Sequence, residues 1–402
     1  MSFSRADRSR LAEWWFTVDR QLIVLIFVLM AAGLLLSLAA SPAIAMKRGF
    51  ATYHFVWRQF VFAGLGAAVM IAVSLLTPAK VRRLALITLI ASMAGLVVVL
   101  FVGTEINGAR RWLPVLHQTI QPSEFAKPGF VVMSAWLFAE TKRRPDMPAL
   151  ALACLSLMLI AGLLIAEPDV GQTLLVTFVW GALFVISGQP WMGAVALAVF
   201  GAAGAGAAYV MLPHVHARVD LYLAGGTGDH SQVDRALQAF MEGGFFGRGP
   251  GEGTVKTVLP DAHTDFIFAV LAEEYGVIAC LALLALFAAI VGKAAFRAVN
   301  EPDSANRLAI IGLCLLFALQ ALINMGVNVG LLPAKGMTLP FISAGGSSTL
   351  AVSVTLGMLL SLTRKRTGLA NLKKPRLVAT SPRGTGEAPM NEPVTGGTSG
   401  GR

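Results

Sequence analysis

The sequence predicts an all-α polytopic membrane protein with about ten transmembrane helices and a long extracytoplasmic loop between helices 7 and 8. Three observations predict it. The 402 residues are 56% hydrophobic and only 13% charged, whereas a soluble domain carries roughly 25% charged residues. Apolar stretches near the ~20 residues that cross a bilayer recur along the chain. The basic clusters fall where a ten-span topology puts the cytoplasm.

Taken in order, the chain opens with a charged N-terminal segment, 1–20, whose Trp14, Trp15 and Phe16 suit an interfacial amphipathic turn. The first apolar stretch is about 21–41. Arg5, Arg8 and Arg10 before it and Ala43-Ile44-Ala45 after it imitate a signal peptide and its cleavage site. The run is too long for such a peptide and more spans follow, so an uncleaved anchor is expected. The remaining stretches lie at about 59–77, 84–103, 125–140, 149–166, 170–188, 191–212, 265–291, 307–330 and 341–362. Pro128 interrupts the fourth, and Gly345-Gly346 the tenth. The expected organisation is one membrane domain over 21–365, containing a long periplasmic loop at 213–264. A cytoplasmic tail at 366–402, rich in Gly, Pro, Ser and Thr, is expected to be disordered and is either a docking tail or dispensable.

The net charge of +10 would suggest nucleic acid in a soluble protein, but topology accounts for it here. Lys80, Arg82 and Arg83 share one short loop, Lys142, Arg143 and Arg144 another, and Lys293, Arg297 and Arg307 a third, while Arg364, Lys365 and Arg366 follow the last span. With the N-terminus inside, every cluster is cytoplasmic. No nucleic-acid partner is expected. Cys154, Cys280 and Cys314 all fall in apolar stretches, with no disulfide or metal-ligand spacing.

The polar oddities gather on the opposite side. Pro260-Asp261-Ala262-His263-Thr264-Asp265 leads directly into an apolar span. A carboxylate there is costly unless something holds it. Asp265 reads either as a helix N-cap or as a general base. His263 would orient that carboxylate, bind phosphate, or be a satisfied interfacial histidine. Glu273 and Glu274 follow about 12 Å along the helix and need a partner or a wet cavity. Arg110 and Arg111, in Asn107-Gly108-Ala109-Arg110-Arg111-Trp112, break the positive-inside trend, which suggests binding of pyrophosphate or pairing with acids. In Gln121-Pro122-Ser123-Glu124-Phe125-Ala126-Lys127, Glu124 and Lys127 make an i, i+3 ion pair or Lys127 a phosphate contact. Glu167-Pro168-Asp169 places two carboxylates in a turn that needs none.

Gln320, Asn324 and Asn328 form a polar stripe at i, i+4 and i+8, beside Gly326 and Gly330. Helix packing accounts for it, and so would a polar cavity. The segment Leu331–Phe341, followed by Ile342-Ser343-Ala344-Gly345-Gly346-Ser347-Ser348, breaks the helix at membrane depth. Such backbone is tolerated only when buried in protein or lining a cavity. Lys335 lies within it as an anion contact. Gly243–Gly253 is glycine-rich, which permits tight turns and close backbone approach, but GxxxxGK[ST] spacing is absent, so a nucleotide site is not expected.

These motifs together resemble the SEDS family (shape, elongation, division and sporulation), ten-span bacterial peptidoglycan glycosyltransferases. The resemblance covers about 20–365 and rests on NGARRWL, QPSEFAK, EPDVGQT, GRGPGEGTVKTVLPDAHTDFIFAVLAEEYG and NMGVNVGLLPAKGMTLPFISAGGSS. The GRGPGEG stretch looks more like the division-specific branch than the elongation branch. Two positions depart from the family pattern: Ala344 replaces an aromatic, and Pro128 follows Lys127.

The resemblance implies polymerisation of lipid II into glycan strands on the outer face of the bacterial inner membrane, at the division septum. An acceptor hydroxyl attacks the donor's anomeric carbon with inversion, and undecaprenyl pyrophosphate leaves. Asp265 matches the family's essential aspartate. Substrate-binding roles are implied for Arg110, Arg111, Glu124, Lys127, Glu167, Asp169, His263, Lys335, Ser343 and Ser347. A divalent cation (Mg or Mn) would assist, although no dedicated ligand set is visible. The implied partners are a class B penicillin-binding protein and other divisome membrane proteins. The rival functions are a lipid II flippase and a non-catalytic division scaffold.

Overall fold

The computed structural model describes residues 9–47, 49–106, 109–115, 118–211, 216–217, 220, 232–333 and 336–365. Lys335 and the 366–402 tail lie outside the described residues.

A short helix α1 (Arg10–Thr17) precedes α2 (Arg20–Lys47), α3 (His54–Ser74) and α4 (Pro78–Val102). Ser9 caps α1 through the Ala12 N–H at 3.2 Å, and Thr77 caps α4 with Pro78 in its first turn. Trp14 Nε1 donates to Ser74 Oγ at 2.9 Å. The Lys365 N–H reaches Thr17 O at 2.9 Å, and Arg297 meets Asp19 at 2.6 Å. The ends of the membrane domain are therefore stitched together by polar bonds.

Between α4 and the next helix lies a three-stranded antiparallel sheet, which corrects the purely α expectation. It comprises β1 (Thr104–Ile106), β2 (Ala109–Val115) and β3 (Gln118–Ile120), with Thr104 opposite Trp112 and Leu113 opposite Ile120. The segment is rich in β-branched and aromatic residues, which suit a pleated surface.

The helices α5 (Pro122–Arg143), α6 (Ala149–Ala166), α7 (Val170–Ile186) and α8 (Trp191–Met211) follow. α5 is buried on every side, including Phe130, Phe138, Ser123, Glu124, Lys127, Ser134 and Glu140. It packs against α4, α6 and α7. A helix shielded from lipid by its neighbours can carry polar groups, which explains why this stretch is weakly apolar. Pro128 lies within α5.

The 213–264 segment is not an unstructured loop. It contains α9 (Gln232–Gly243) and a single turn, α10 (Val255–Val258). The buried face of α9, Ala236, Ala239 and Gly243, packs on α11 (Ile267–Val299), followed by α12 (Ser304–Asn328) and α13 (Gly346–Leu362). Helices long and apolar enough to cross a membrane are Arg20–Ser41, His54–Ser74, Pro78–Val102, Ala149–Ala166, Ile267–Val299 and Ser304–Asn328, with Val170–Ile186 and Gly346–Leu362 as shorter apolar helices.

α11 is kinked at Gly276, where φ is 78°. The residues after the kink, 277–299, reach about 34 Å at 1.5 Å per residue and suffice to span a bilayer. Asp265, Glu273 and Glu274 thus lie on the N-terminal side of the kink. The kink frees backbone groups that must find partners, and the glycine-rich loop supplies them. Arg248 and Gly249 N–H groups donate to the carbonyls of Glu273 and Glu274 at 2.9 and 3.0 Å. Val277 and Ile278 N–H groups donate to Gly244 and Phe245 carbonyls at 3.0 and 3.3 Å.

Such proximity requires glycine. A Cβ on Gly276 would sit 2.2 Å from Phe245 O, and one on Gly243 would sit 1.9 Å from Ala272 O. Glu273 accepts the Val255 and Lys256 N–H groups at 2.7 and 3.0 Å, and Glu274 pairs with Lys256. Lys256 also reaches Ala39 O of α2 at 3.2 Å. Both glutamates are thereby structural clamps on the loop.

Gly276→Ala should destabilise the fold by at least about 1–3 kcal/mol, the usual cost of holding a side chain in a sparsely populated backbone region. Gly292→Ala, where a Cβ meets nothing within 4 Å, should not destabilise it. Thermal melting in detergent compares them, and equal melting points would refute the argument.

Candidate functional site

The site is built where two broken segments meet. Residues 260–266 turn tightly ahead of α11, with Thr264 and Phe266 N–H groups on Asp261 O at 3.0 and 3.3 Å. Residues 336–345 are the irregular stretch between α12 and α13. Ser343 joins the two: its Oγ donates to Thr264 O at 2.5 Å and accepts the Leu339 N–H at 2.7 Å. The Ala344 N–H donates to His263 O at 2.9 Å, and the His263 ring lies 5.1 Å from Phe55. The main-chain bond from Ala344 does not require the family's aromatic side chain.

Asp265 is not the N-cap of α11. That position is Phe266, and no side chain caps the helix from it. The stripe on α12 instead holds the Asp265 main chain. Asn324 Nδ2 and Asn328 Nδ2 each donate to Asp265 O at 2.9 Å. Asn324 also donates to Met337 O at 2.6 Å, and Gln320 to Thr338 O at 3.2 Å. The stripe therefore does more than join helices: Gln320 bonds Lys127 of α5, and the three amides together pin both broken segments.

Among the described residues no hydrogen bond reaches the Asp265 carboxylate. A Cβ built on Gly336 would lie 3.6 Å from its Oδ2. Burial, and next the Asp261 carboxylate, push the Asp265 pKa up to about 7.

A second cluster lies along α5. Lys127 Nζ donates to Glu124 Oε1 at 2.9 Å and to Gln320 Oε1 at 3.0 Å. Gln172 Nε2 donates to the same Glu124 oxygen at 2.8 Å. The expected i, i+3 ion pair exists and is buried, and Gln320 connects it to the 336–345 segment. A small cavity beside the pair is lined also by Phe317, Pro340 and Thr355.

A third cluster joins the sheet to the α6–α7 turn. Arg111 donates to the Glu167 and Pro168 carbonyls and lies 3.8 Å from Asp169 Oδ2. Asp169 caps α7 through the Gln172 N–H at 3.4 Å. Glu167 is fully buried, and neither carboxylate oxygen has a hydrogen-bond partner among the described residues. Burial first, then Asp169, raise its pKa to about 8, so the carboxyl is protonated at neutral pH. Burial also raises Asp169, against Arg111.

The other residues singled out by their motifs are less connected, and this has physical reasons. Arg110 is exposed and pairs with Glu105 at 3.4 Å. Ser347 is buried in the first turn of α13. Lys335 is outside the described residues, although its neighbour Gly336 adjoins Asp265. Sequence reasoning missed Gln121, which donates to Asp169 Oδ2 at 3.5 Å, and Gln172. Both stand inside recognisable motifs, QPSEFAK and EPDVGQT.

Residues 20–368 match the family model described as cell cycle protein, FtsW–RodA–SpoVE. The chain belongs to this family, the SEDS proteins. The chain is 43% identical to a probable peptidoglycan glycosyltransferase FtsW of Caulobacter vibrioides, over 91% of this chain and 94% of that one. It is 35% identical to the protein of the same description from Hydrogenovibrio crunogenus, over 85% and 90%. Among solved structures, a chain of a peptidoglycan synthase complex that coordinates polymerization and crosslinking superposes with TM-score 0.72 at 29% identity, covering 86% of this chain and 97% of that one. Thermus thermophilus RodA gives TM-score 0.63 at 28% identity, covering 87% and 97%.

The buried charges of this SEDS chain can be tested directly. Lys127→Met strands the Glu124 carboxylate and should cost about 3–5 kcal/mol; adding Glu124→Gln should recover most of that in a melting experiment. Glu167 has a raised folded pKa, so its stabilisation is complete below its unfolded pKa of 4.5 and is lost as pH rises through about 8. Glu167→Gln should therefore match wild type at pH 4 and melt higher at pH 9. A mutant that melts lower at pH 9 would mean the carboxylate is ionised and partnered.

Proposed function

We propose that this chain is a peptidoglycan glycosyltransferase that polymerises lipid II into glycan strands during septal wall synthesis. It would cross the bacterial inner membrane ten times, with both termini in the cytoplasm. The single observation that carries the catalytic reading is the Asp265 carboxylate: held by its main chain, uncommitted by its side chain among the described residues, and tuned to about pH 7. A base serves best when its pKa lies near the working pH.

In this reading Asp265 takes the proton of the acceptor hydroxyl. The oxygen forms the new bond to the donor's anomeric carbon as the bond to undecaprenyl pyrophosphate breaks, inverting the configuration. Arg110 and Lys335 act on the pyrophosphate side. Lys127 and Arg111 are held by carboxylates and carbonyls, so they shape the site together with Glu124, Glu167 and Asp169. His263 and Ser347 are proposed substrate contacts, and Ser343 joins the two broken segments beside Asp265. A group of three or more Asp, Glu, His or Cys side chains able to hold a metal is not found among the described residues. A divalent cation (Mg or Mn) would supply further positive charge at the pyrophosphate, beside Arg110 and Lys335. A class B penicillin-binding protein is the proposed partner, crosslinking the strands as they emerge, alongside other division proteins.

The test is polymerisation of purified lipid II by wild type, Asp265→Ala and Asp265→Asn, each with and without the penicillin-binding partner. Wild type should make long glycan strands and both variants none. Polymerising variants would sink the base assignment. A wild type inactive even with its partner would favour the flippase or scaffold. Because Asp265 must be ionised to act, the wild-type rate should fall as pH is lowered through about 7.

A further inference from the structure

The first N–H groups of any helix have no partner within it, and a Ser, Thr, Asp or Asn at the N-cap usually accepts one. α11 begins at a Phe266 cap that has no side-chain acceptor. Its third N–H, of Ala269, reaches only the Phe266 carbonyl three residues back, at 3.1 Å, within its own helix. Asn328 Oδ1, from the far end of α12, accepts it at 3.1 Å. The other end of the same amide, Nδ2, donates to Asp265 O at 2.9 Å and to Asn324 O at 2.8 Å. Asn328 is fully buried and Asn324 nearly so.

We propose that Asn328 supplies, from a neighbouring helix, the side-chain cap that Phe266 does not provide to the 267–299 helix, and that with Asn324 it is a positioning residue for Asp265. The inference rests on the reading of Asp265 as the base. Its logic is a division of labour. An Asp265 that capped its own helix would spend its carboxylate on backbone N–H groups, which also lower a carboxylate's pKa. Supplying the cap from α12 satisfies the helix and leaves that carboxylate uncommitted.

The two amides together occupy the Asp265 carbonyl, so the residue is fixed through its main chain. Asn324 bonds Met337 O at the same time. That locks Asp265 to the segment bearing Gly336, whose built Cβ lies 3.6 Å from the carboxylate. Neither asparagine needs to touch substrate.

The experiment compares Asn328→Leu, close in volume but without polar atoms, with wild type in lipid nanodiscs. Two readouts are taken: lipid II polymerisation kinetics, and hydrogen exchange of peptides covering 265–270. The expected result is a kcat lower by about 10- to 100-fold, the scale of an ångström-level misplacement, with KM within twofold and faster exchange confined to 265–270. Asn328→Ser, which keeps a hydroxyl but loses the reach, should show the same split more mildly, and it stands in if the leucine variant does not fold. Wild-type kcat and exchange in the serine variant would overturn the proposal. So would a general fall of melting point, KM and kcat together, the signature of a merely structural amide. If Asp265→Asn still polymerises, the base reading fails, while exchange at 265–270 continues to report on the cap.

Discussion

Broken backbone in an apolar setting must find hydrogen-bond partners, and the structure around the site depends on how that demand is met. The chain interrupts its helices at Gly276 and again across 336–345. Each interruption leaves main-chain groups that water cannot reach freely. At Gly276 the partners are the carbonyls and amides of 244–249. At 336–345 they are the amides of Gln320 and Asn324, the Ser343 hydroxyl, and the main chain of 263–264. The glycines and amides that looked like separate motifs answer one need.

Charge is handled the same way. Lys127 sits between Glu124 and Gln320, Lys256 between Glu274 and main-chain carbonyls, and Arg111 against Asp169 and the 167–168 carbonyls. Buried pairs of this kind contribute little net stability, but breaking one is expensive. Their effect is to fix where each element lies. The Asp265 carboxylate differs from these in having no such counter-charge among the described residues.

Much of this was legible in the sequence. Each of the apolar stretches coincides with a helix, because long apolar runs leave few alternatives. The i, i+3 pair of Glu124 and Lys127 and the break after Gly330 were likewise readable from spacing. Other features were obscured by physical causes. Asn107-Gly108 is a strong hairpin signal, but arginines between two spans read as loop. Val233, Ala236, Leu237 and Phe240 have helical spacing, yet they occur in a segment dominated by glycine and polar residues. The kink at Gly276 was hidden because apolar residues lie on both sides of Glu273 and Glu274, so 265–291 reads as one continuous stretch. Whether Asp265 capped its helix could not be decided locally, since the actual cap comes from residue 328.

The spacing of Gln320, Asn324 and Asn328 makes α12 a ruler. The end rungs are eight residues apart, about 12 Å at the rise of an α-helix, with the buried ion pair at one end and the Asp265 carbonyl at the other. A distance held by a loop can drift as residues are inserted or lost. One held by side chains on a single helix face changes only by three or four residues at a time, about 4.5 or 6 Å. The spacing between the anchor for the ion pair and the anchors for the Asp265 carbonyl is thus set by the helix and not by loop length.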